Sequence, residues 1–292
     1  MMLLLVQVLS IVALAPLVQG VMKRLRANLQ GRPGPSPLQP YRDLAKLLNK
    51  EALVPHGVSP IPLIAPGIAL GVAVTFASLL PIVTPNAVGS IVDVIALAFL
   101  LALGRFVLAL AALDSRSSFA GMAASREMTF GSLVEPALLL ALLGGAVLGH
   151  GTHLSFLLDV PFGLAGTLAF AAFFLVLLAE TARVPIDNQE THYELTMIHE
   201  GLVLEYSGWQ LAMLQYAGYI RQLCFLVLAA MLLPGGTDGW QHLPWILGLI
   251  GAVTIVETLF AKLRLFEVPQ LLATALILAA VSIGLRVLGA LA

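Results

Sequence analysis

The stretch VGSIVDVIALAFLLALGRFVLALAAL, Val88 to Leu113, decides the fold because it is almost entirely apolar. A helix rises about 1.5 Å per residue, so this stretch is long enough to cross the roughly 30 Å hydrocarbon core of a bilayer. The sequence lacks the short alternating segments that are typical of a membrane β-barrel. The stretch therefore predicts a membrane-spanning helix, which satisfies its own backbone hydrogen bonds in lipid.

The rest of the chain has the same character. Of its 292 residues, 59% are hydrophobic and only 11% are charged, whereas soluble domains average about 25% charged residues. The apolar runs predict about eight spans, which are Met2–Val21, Ile61–Val83, Val88–Leu113, Leu133–Leu148, Phe162–Ala179, Tyr216–Leu233, Leu243–Ala261 and Val268–Ala290. We expect an all-α, polytopic membrane helix bundle in which residues 1–292 form a single integral membrane domain.

Basic residues alternate between the loops that connect these predicted spans. The first, third, fifth and seventh loops carry Lys or Arg, whereas the second, fourth and sixth carry none. By the positive-inside rule the odd loops face the cytoplasm, and both termini lie on the non-cytoplasmic side. The apolar N-terminus has no basic residue before Lys23, which favours a retained first span over a removed signal peptide. The single cysteine, Cys224, excludes an internal disulfide and a four-thiolate cluster made by this chain alone.

Several ionisable side chains fall inside the apolar runs. Such charges cost at least about 2.5 kcal/mol on insertion scales, so they are expected to line a bundle interior or a wetted cavity. Burial disfavours the charged form of a carboxyl group, which lets it exchange protons near neutral pH. Glu135 and Glu257 lie in otherwise apolar stretches and are candidates for a proton relay. The alternative is a static ion pair, and for Asp93, near the start of its span, a structural role is favoured.

The densest group of ionisable residues is ETARVPIDNQETHYELTMIHEGLVLEYSG, Glu180 to Gly208. In a helix that begins after Pro185, Asp187, Glu190 and Glu194 would share one face, where like charges repel and can pass protons as a unit. The spacing of Asp187 and Glu190 also fits a capping box, which would only start a helix. The candidate proton-carrying residues of this stretch are Glu180, Arg183, Asp187, Glu190, His192, Glu194, His199, Glu200 and Glu205.

The same stretch argues against a metalloprotease. His199 and Glu200 resemble half of a zinc-protease motif, but that motif requires a histidine at position 203, where this chain has Val203. His192 and His199 without a third ligand do not predict a metal site. Phosphate-binding loops, nucleophile elbows and dinucleotide fingerprints are missing from the sequence. We therefore expect neither a metal nor a cofactor in this chain.

Three motifs, in order along the chain, resemble the complex I membrane subunit NADH dehydrogenase subunit 1. The stretch ETARVPID, with Glu194 and the later EYSG, resembles the signature of the subunit that helps to form the quinone cavity. The first-loop segment QGRPGP, with Asp43 and Lys46 downstream, is similar to the Q-x-R-x-G-P loop of that family. In SSFAGMAASREM and the following residues, Arg126 and Glu135 match the loop arginine and the span-opening glutamate of the family.

Other segments point to a relative of that subunit. The string ELTMIHE, the longer segment before Glu205, DSRSSF (Asp114 to Phe119) and ETLFAKLRLFEVPQLL (Glu257 to Leu272) resemble the membrane-anchor subunit of group 4 nickel-iron hydrogenases. This group includes formate hydrogenlyase and hydrogenase 4. The longer segment puts quinone binding in doubt, since it helps to shape the quinone cavity in complex I. The alternative is the quinone-site membrane subunit of a complex I-type NADH:quinone oxidoreductase.

The resemblance implies a non-catalytic subunit of an oxidoreductase complex in a prokaryotic inner membrane. Its expected partners are the nickel-iron hydrogenase large and small subunits, iron-sulfur subunits and antiporter-like membrane subunits. The nickel-iron centre and iron-sulfur clusters are expected in those partners, with no redox centre in this chain. The carboxylates named above, with Glu135 and Glu257, would couple redox chemistry to proton or Na⁺ translocation. The soluble arm would dock on Arg26, Arg32, Asp43, Lys46, Arg116, Arg126, Lys262 and Arg264.

Overall fold

The computed structural model describes residues 2–53, 57–80, 92–146, 152–154, 163–188, 197–234 and 239–291. Within these ranges the chain forms helices and connecting loops, with one isolated bridge between Asp93 and His153. The α-helices are α1 (Met2–Leu29), α2 (Gln39–Leu48), α3 (Ile61–Leu79), α4 (Val94–Asp114), α5 (Ser118–Ala146), α6 (Leu164–Glu180), α7 (His199–Leu202), α8 (Gly208–Met231), α9 (Leu243–Leu259) and α10 (Val268–Leu291). A short 3₁₀-helix, Gly239–His242, precedes α9.

The helices confirm a multi-pass membrane fold. Among the described residues, six helices are long and apolar enough to cross a bilayer, namely α1, α3, α4, α5, α8 and α10. The helices α6 and α9 are also apolar but have 17 residues each, which is the lower end of the length that can span a bilayer.

Three predicted boundaries are wrong by more than two turns. The first predicted span ends at Val21, whereas α1 continues to Leu29. The fourth predicted span begins at Leu133, whereas α5 begins at Ser118. The sixth predicted span begins at Tyr216, whereas α8 begins at Gly208. Hydropathy marks only the lipid-facing part of a helix, and helical hydrogen bonding continues into the polar residues beyond it. As a result Arg126 and Glu135 lie on one continuous helix.

The segment rich in proline and glycine after α1 packs against that helix and is not a free linker. A Cβ atom at Gly20 would lie only 1.9 Å from the carbonyl oxygen of Pro37, so the loop approaches α1 too closely for any side chain there. The helix α2 begins at Gln39 with Pro40 in its first turn. Proline is tolerated there because backbone N–H groups of the first turn have no partner within the helix. Neither this packing nor α2 is predicted from the sequence.

The central helix of the bundle is α8, which packs against α1, α2, α3 and α9. The Phe225 ring meets the Phe76 ring edge to face, with centroids 5.5 Å apart, and lies 6.0 Å from the Phe173 ring. Every residue from Gln222 to Leu232 is buried. Since α8 passes through the middle of the bundle, its polar residues Arg221 and Gln222 are carried into the interior.

Asp93 has the structural role that its position favours. Its Oδ1 accepts a hydrogen bond from the backbone N–H of Ile95 at 2.8 Å, which caps the N-terminus of α4. Its Oδ2 accepts a hydrogen bond from the Thr152 hydroxyl at 2.7 Å. The carboxylate therefore fixes the start of α4.

Candidate functional site

Arg105, in the middle of α4, gathers three carboxylates from two other helices. Its guanidinium hydrogen-bonds to Glu135 of α5 and to Glu180 at the end of α6, and its Nε lies 3.4 Å from Glu127 of α5. The side chains of Arg105 and Glu180 are 6% and 4% exposed. This Arg105 cluster has more carboxylates than cations, so its charges do not balance when every acid is ionised.

Arg183, three residues after Glu180, organises a second buried group. Its Nη1 donates to Glu257 of α9 at 2.8 Å, and its Nη2 donates to the side-chain oxygens of Gln19 on α1 and Gln222 on α8, both at 2.5 Å. This Arg183 cluster joins four elements of the bundle. Arg26 of α1 also lies 3.7 Å from Glu257, so here the cations are not outnumbered.

Asp187 directly follows a turn at residues 184–186, and the prediction of a helix beginning directly after Pro185 is wrong for the described residues 185–188. The Asp187 carboxylate accepts hydrogen bonds from the backbone N–H groups of Ile198 and His199 at 3.2 and 3.0 Å. It also accepts one from Lys262 Nζ at 2.6 Å. These bonds tie the segment after α6 to the start of α7 and to the loop after α9, which explains why the backbone turns here.

A polar cavity of about 230 Å³ lies among these groups. It is bounded by α1, α7, α8, the end of α9 and the segment after α6. Its ionisable lining residues are Lys23, Arg26, Arg183, Asp187, His199, Glu200, Tyr219, Arg221 and Glu257. Glu180 and Arg183 connect this cavity to the Arg105 cluster, since they lie within one turn of each other at the end of α6.

The short helix α7 presents two titratable residues to the polar cavity. Burial raises the pKa of Glu200 to about 7, and the neighbouring Asp187 carboxylate raises it further while Lys23 opposes the shift. Burial and the Arg221 guanidinium lower the pKa of His199 to about 3. Arg221 Nη2 lies 3.0 Å from His199 Nε2. At neutral pH, Glu200 can therefore exchange a proton and His199 is neutral.

The predicted relay residues are brought together only in part. Glu180, Arg183, Asp187, His199, Glu200 and Glu257 surround the polar cavity or adjoin it, and Glu135 belongs to the Arg105 cluster. Glu205 lies apart from them, exposed and beside a separate cavity of about 20 Å³ that Tyr206 and Gln210 also line. Glu190, His192 and Glu194 lie outside the described residues. The roles assigned to these residues stay predictions.

Several residues predicted to dock a soluble arm make contacts within this chain. Lys262 binds Asp187, and Arg26 lies beside Glu257, as described above. Arg126 Nη1 donates to the Met197 carbonyl at 2.9 Å, and Arg116 packs against Gly57. The other predicted docking residues are exposed or half-buried. Arg32 hydrogen-bonds to Gln30, and the half-buried Asp43 accepts a hydrogen bond from Gln39 at 2.8 Å. Lys46 and Arg264 are exposed.

Sequence reasoning missed four participants in the site. Gln19 and Gln222 carry no charge, so no signal marks them as partners of an arginine. Glu127 adjoins Arg126 in a segment that hydropathy assigns to a loop, and Arg221 sits at the edge of a predicted span. Arg105 is visible in the sequence as a charge within a span, but its three carboxylate partners are not. Among the described residues, no group of three His, Cys, Asp or Glu side chains is arranged to hold a metal ion.

The fold and the site define a polytopic helical membrane protein with a buried network of arginines and carboxylates beside a polar cavity. A family model described as NADH dehydrogenase matches residues 1–287, and the chain belongs to this family. Formate hydrogenlyase subunit 4 of Escherichia coli (strain K12) is 32% identical over 286 residues, which cover 91% of this chain and 92% of that protein. Hydrogenase-4 component C of the same organism is 34% identical over 271 residues, which cover 90% and 83%.

One solved structure shares the fold over nearly the whole chain. It is a chain of the membrane-bound sulfane sulfur reductase (MBS), an archaeal respiratory membrane complex, and it matches with a TM-score of 0.82 at 20% identity. The match covers 97% of this chain and 98% of that one. At this identity the likeness shows the fold alone.

Proposed function

We propose that this chain is the membrane subunit of a group 4 energy-converting hydrogenase complex of the formate hydrogenlyase or hydrogenase 4 type. In this role it docks a soluble arm that carries the nickel-iron and iron-sulfur centres, and it couples the redox chemistry of that arm to translocation of protons or Na⁺. The chain itself holds no redox centre. The names of the two bacterial relatives, which align over at least 90% of this chain, support the assignment to a hydrogenase complex.

The observation that carries the coupling role is the continuity between the polar cavity and the two buried arginine clusters. Asp187 and Glu200 lie at the cavity, Glu257 and Arg183 form its inner wall, and Glu180 leads on to Arg105. A change of charge or geometry at the cavity alters the field at Glu180 and Glu257, because charges interact strongly where water is excluded. The surplus carboxylates of the Arg105 cluster then take up or release an ion.

The same proposal sets the topology and the partners. The six long helices with α6 and α9 form eight spans of a single domain in a prokaryotic inner membrane, and both termini lie on the non-cytoplasmic side. The polar cavity then opens on the cytoplasmic side, where the basic loops meet the hydrogenase and iron-sulfur subunits. Antiporter-like membrane subunits receive the charge displacement from the Arg105 cluster.

A quinone-site subunit of a complex I-type oxidoreductase is the second candidate. An apolar cavity that shares His199 and Arg221 with the polar cavity favours it, since a quinone has both an apolar and a polar part. However, this apolar cavity measures about 40 Å³, far below the roughly 300 to 1,000 Å³ of typical ligand pockets. The hydrogenase assignment therefore takes precedence.

Purification of the chain from native membranes in mild detergent separates the two candidates. The hydrogenase assignment predicts that nickel-iron hydrogenase and iron-sulfur subunits co-purify and that the preparation evolves or oxidises hydrogen. Co-purification with a full set of NADH:quinone oxidoreductase subunits, together with quinone reduction, would support the second candidate instead.

Charge reversal in the first cytoplasmic loop tests docking. Arg32 lies in the segment between α1 and α2, Lys46 lies on α2, and both are exposed. Replacing both with glutamate should release the soluble arm into the supernatant, because the basic surface that attracts it changes sign. Reversal of Arg264, a predicted docking residue exposed on a different cytoplasmic loop, shows whether a single reversal elsewhere also releases the arm. Full retention of hydrogenase activity in membranes of the double variant would argue against docking on this loop.

A further inference from the structure

The contact between Arg221 and His199 fixes the protonation state of that histidine. Arginine has five N–H donors and no acceptor, and it does not lose its proton in proteins. Arg221 Nη2 lies 3.0 Å from His199 Nε2, so Nε2 must be the unprotonated nitrogen. The ring is then neutral and carries its proton on Nδ1.

We infer that Arg221 is a positioning residue that holds His199 in the neutral Nδ1–H form and leaves Glu200 as the proton-exchanging residue of α7. This inference rests on the proposed coupling function only for its physiological meaning. The tautomer follows from the contact between Arg221 on α8 and His199 on α7, and Glu200 is the acid of α7 that lines the polar cavity.

The surroundings of α7 support different protonation behaviour for His199 and Glu200. His199 and Glu200 both line the polar cavity, and Arg221 lines this cavity as well as the adjoining apolar one. A second proton on His199 would place two cations 3.0 Å apart at the boundary of an apolar cavity, where like charges repel strongly. Glu200 faces no such cation at contact distance among the described residues, so it can bind or release a proton without breaking a hydrogen bond.

Charged groups on every element around α7 affect the protonation of His199 and Glu200. Arg221 opposes protonation of His199, and burial acts in the same direction, whereas Asp187 and Glu180 favour it. Asp187 opposes ionisation of Glu200, and Lys23 favours it. The charged and titratable groups near α7 are Lys23 on α1, Arg105 on α4, Arg126 on α5, Glu180 on α6, Asp187 in the following segment, and Tyr219 and Arg221 on α8.

Arg221 can act on His199 because it forms no close ion pair with a carboxylate among the described residues. Among the described residues, Arg105, Arg183 and Arg26 lie within 4 Å of a carboxylate, but no such ion pair involves Arg221. Its Nε is buried without a hydrogen-bond partner in the same part of the chain. Glu180 and Glu127 attract Arg221 only from beyond this distance, so the imidazole is its partner at hydrogen-bond distance.

Nitrogen NMR of the ¹⁵N-histidine-labelled chain in its intact complex tests the inference. The His199 signal is identified by its loss in His199→Asn. In the unaltered chain, His199 should show a protonated Nδ1 and an unprotonated Nε2 at every pH from about 5 to 8. In Arg221→Gln the pKa of His199 should rise, because the nearest cation is gone while burial still opposes the charged ring, and Arg221→Lys should restore the lower pKa. A charged His199 at pH 6 in the unaltered chain, or an Nε2–H tautomer, overturns the inference.

Infrared spectroscopy of the same complex tests whether Glu200 exchanges a proton. A protonated carboxyl band that disappears in Glu200→Gln should titrate near pH 7 in the unaltered chain. Absence of such a band between pH 5 and 8 would overturn the assignment of Glu200. If the band and the tautomer are both found but Glu200→Gln leaves ion translocation unchanged, the inference about protonation stands and the proposed coupling function fails.

Discussion

The Arg105 and Arg183 clusters both bury a guanidinium in the bundle, but they neutralise it differently. Around Arg105 there are three carboxylates, from Glu127, Glu135 and Glu180. Around Arg183 there is one carboxylate, from Glu257, with the neutral amides of Gln19 and Gln222. A buried charge that is matched by one opposite charge and by amides is fixed in place, whereas a cluster with surplus acids can change its proton content. We therefore predict ion exchange at the Arg105 cluster and structural support from the Arg183 cluster.

Removing the cation of the acid-rich cluster should have the largest effect. Arg105→Gln removes the ion-pair partner of three carboxylates, and loss of one member of a buried ion pair costs about 3 to 5 kcal/mol. We expect a lower yield and a lower unfolding temperature of the purified complex. Arg42→Gln, at an exposed position outside the predicted docking residues, is the control.

The double variant Arg105→Gln, Glu180→Gln keeps this prediction testable when the single variant fails to fold. It removes one of the unpaired acids and should recover part of the lost stability. An Arg105→Gln complex that unfolds at the temperature of the unaltered complex would show that the cluster is not an electrostatic unit.

Glu257→Gln breaks the balanced cluster. It leaves Arg183 with amide partners only, in a site where the Glu257 side chain is 3% exposed. We expect the free energy of unfolding to fall by about 3 kcal/mol, as for other buried pairs that lose one partner. Denaturation of the complex in detergent measures this change in the free energy of unfolding. Glu51→Gln, which changes an exposed carboxylate, should alter stability by less than about 0.5 kcal/mol.

Glu135→Gln should separate ion movement from stability. The Glu135 side chain is 39% exposed and is one of three acids on the same arginine, so its loss should change stability by less than about 1 kcal/mol. Loss of a surplus acid should nevertheless reduce hydrogenase-linked ion uptake at least tenfold in membrane vesicles, about 1.4 kcal/mol in the barrier. Unchanged ion uptake with intact hydrogenase activity would assign the whole cluster to structure.

Glu200 predicts a pH dependence outside both clusters. Its pKa of about 7 in the folded chain lies above that of an unfolded glutamate. The folded chain therefore binds more protons than the unfolded chain between these two values, and stability falls as pH rises through this window, levelling off above pH 7. The unfolding temperature of Glu200→Gln should vary less between pH 5 and 7 than that of the unaltered complex. Equal slopes in the two proteins would contradict the raised pKa.

Arg26→Gln should have the smallest effect. Arg26 Nη1 is 3.7 Å from Glu257, and its side chain is 15% exposed, so this second cation contributes less than the closer Arg183. We expect a loss of at most about 1 kcal/mol, the range of partly exposed ion pairs, in the same denaturation experiment. A loss equal to that of Glu257→Gln would mean that Arg26 and Arg183 support Glu257 equally.

Much of the helical architecture could be predicted from the sequence, because a span must be apolar over a fixed length. The runs that contain Ile250 and Ala279, for example, match α9 and α10 to within two residues. The sequence also singled out Glu135, Glu180 and Glu257, since a charge in an apolar run is costly in lipid and is therefore expected to have a partner or a function. It did not predict α2 or the first turns of α5, where the helix is polar and hydropathy carries no signal.

The sequence by itself determined that this chain lies in a membrane and that it buries acids there, since lipid penalises every charge and every unpaired backbone group. Only the tertiary structure decided which cation serves which acid. Glu127, Glu135 and Glu180 meet at Arg105 because α4, α5 and α6 pack together, and Gln19 and Gln222 reach Arg183 because α1 and α8 cross beside it. Such pairings depend on packing between elements far apart in sequence, and no local pattern encodes them.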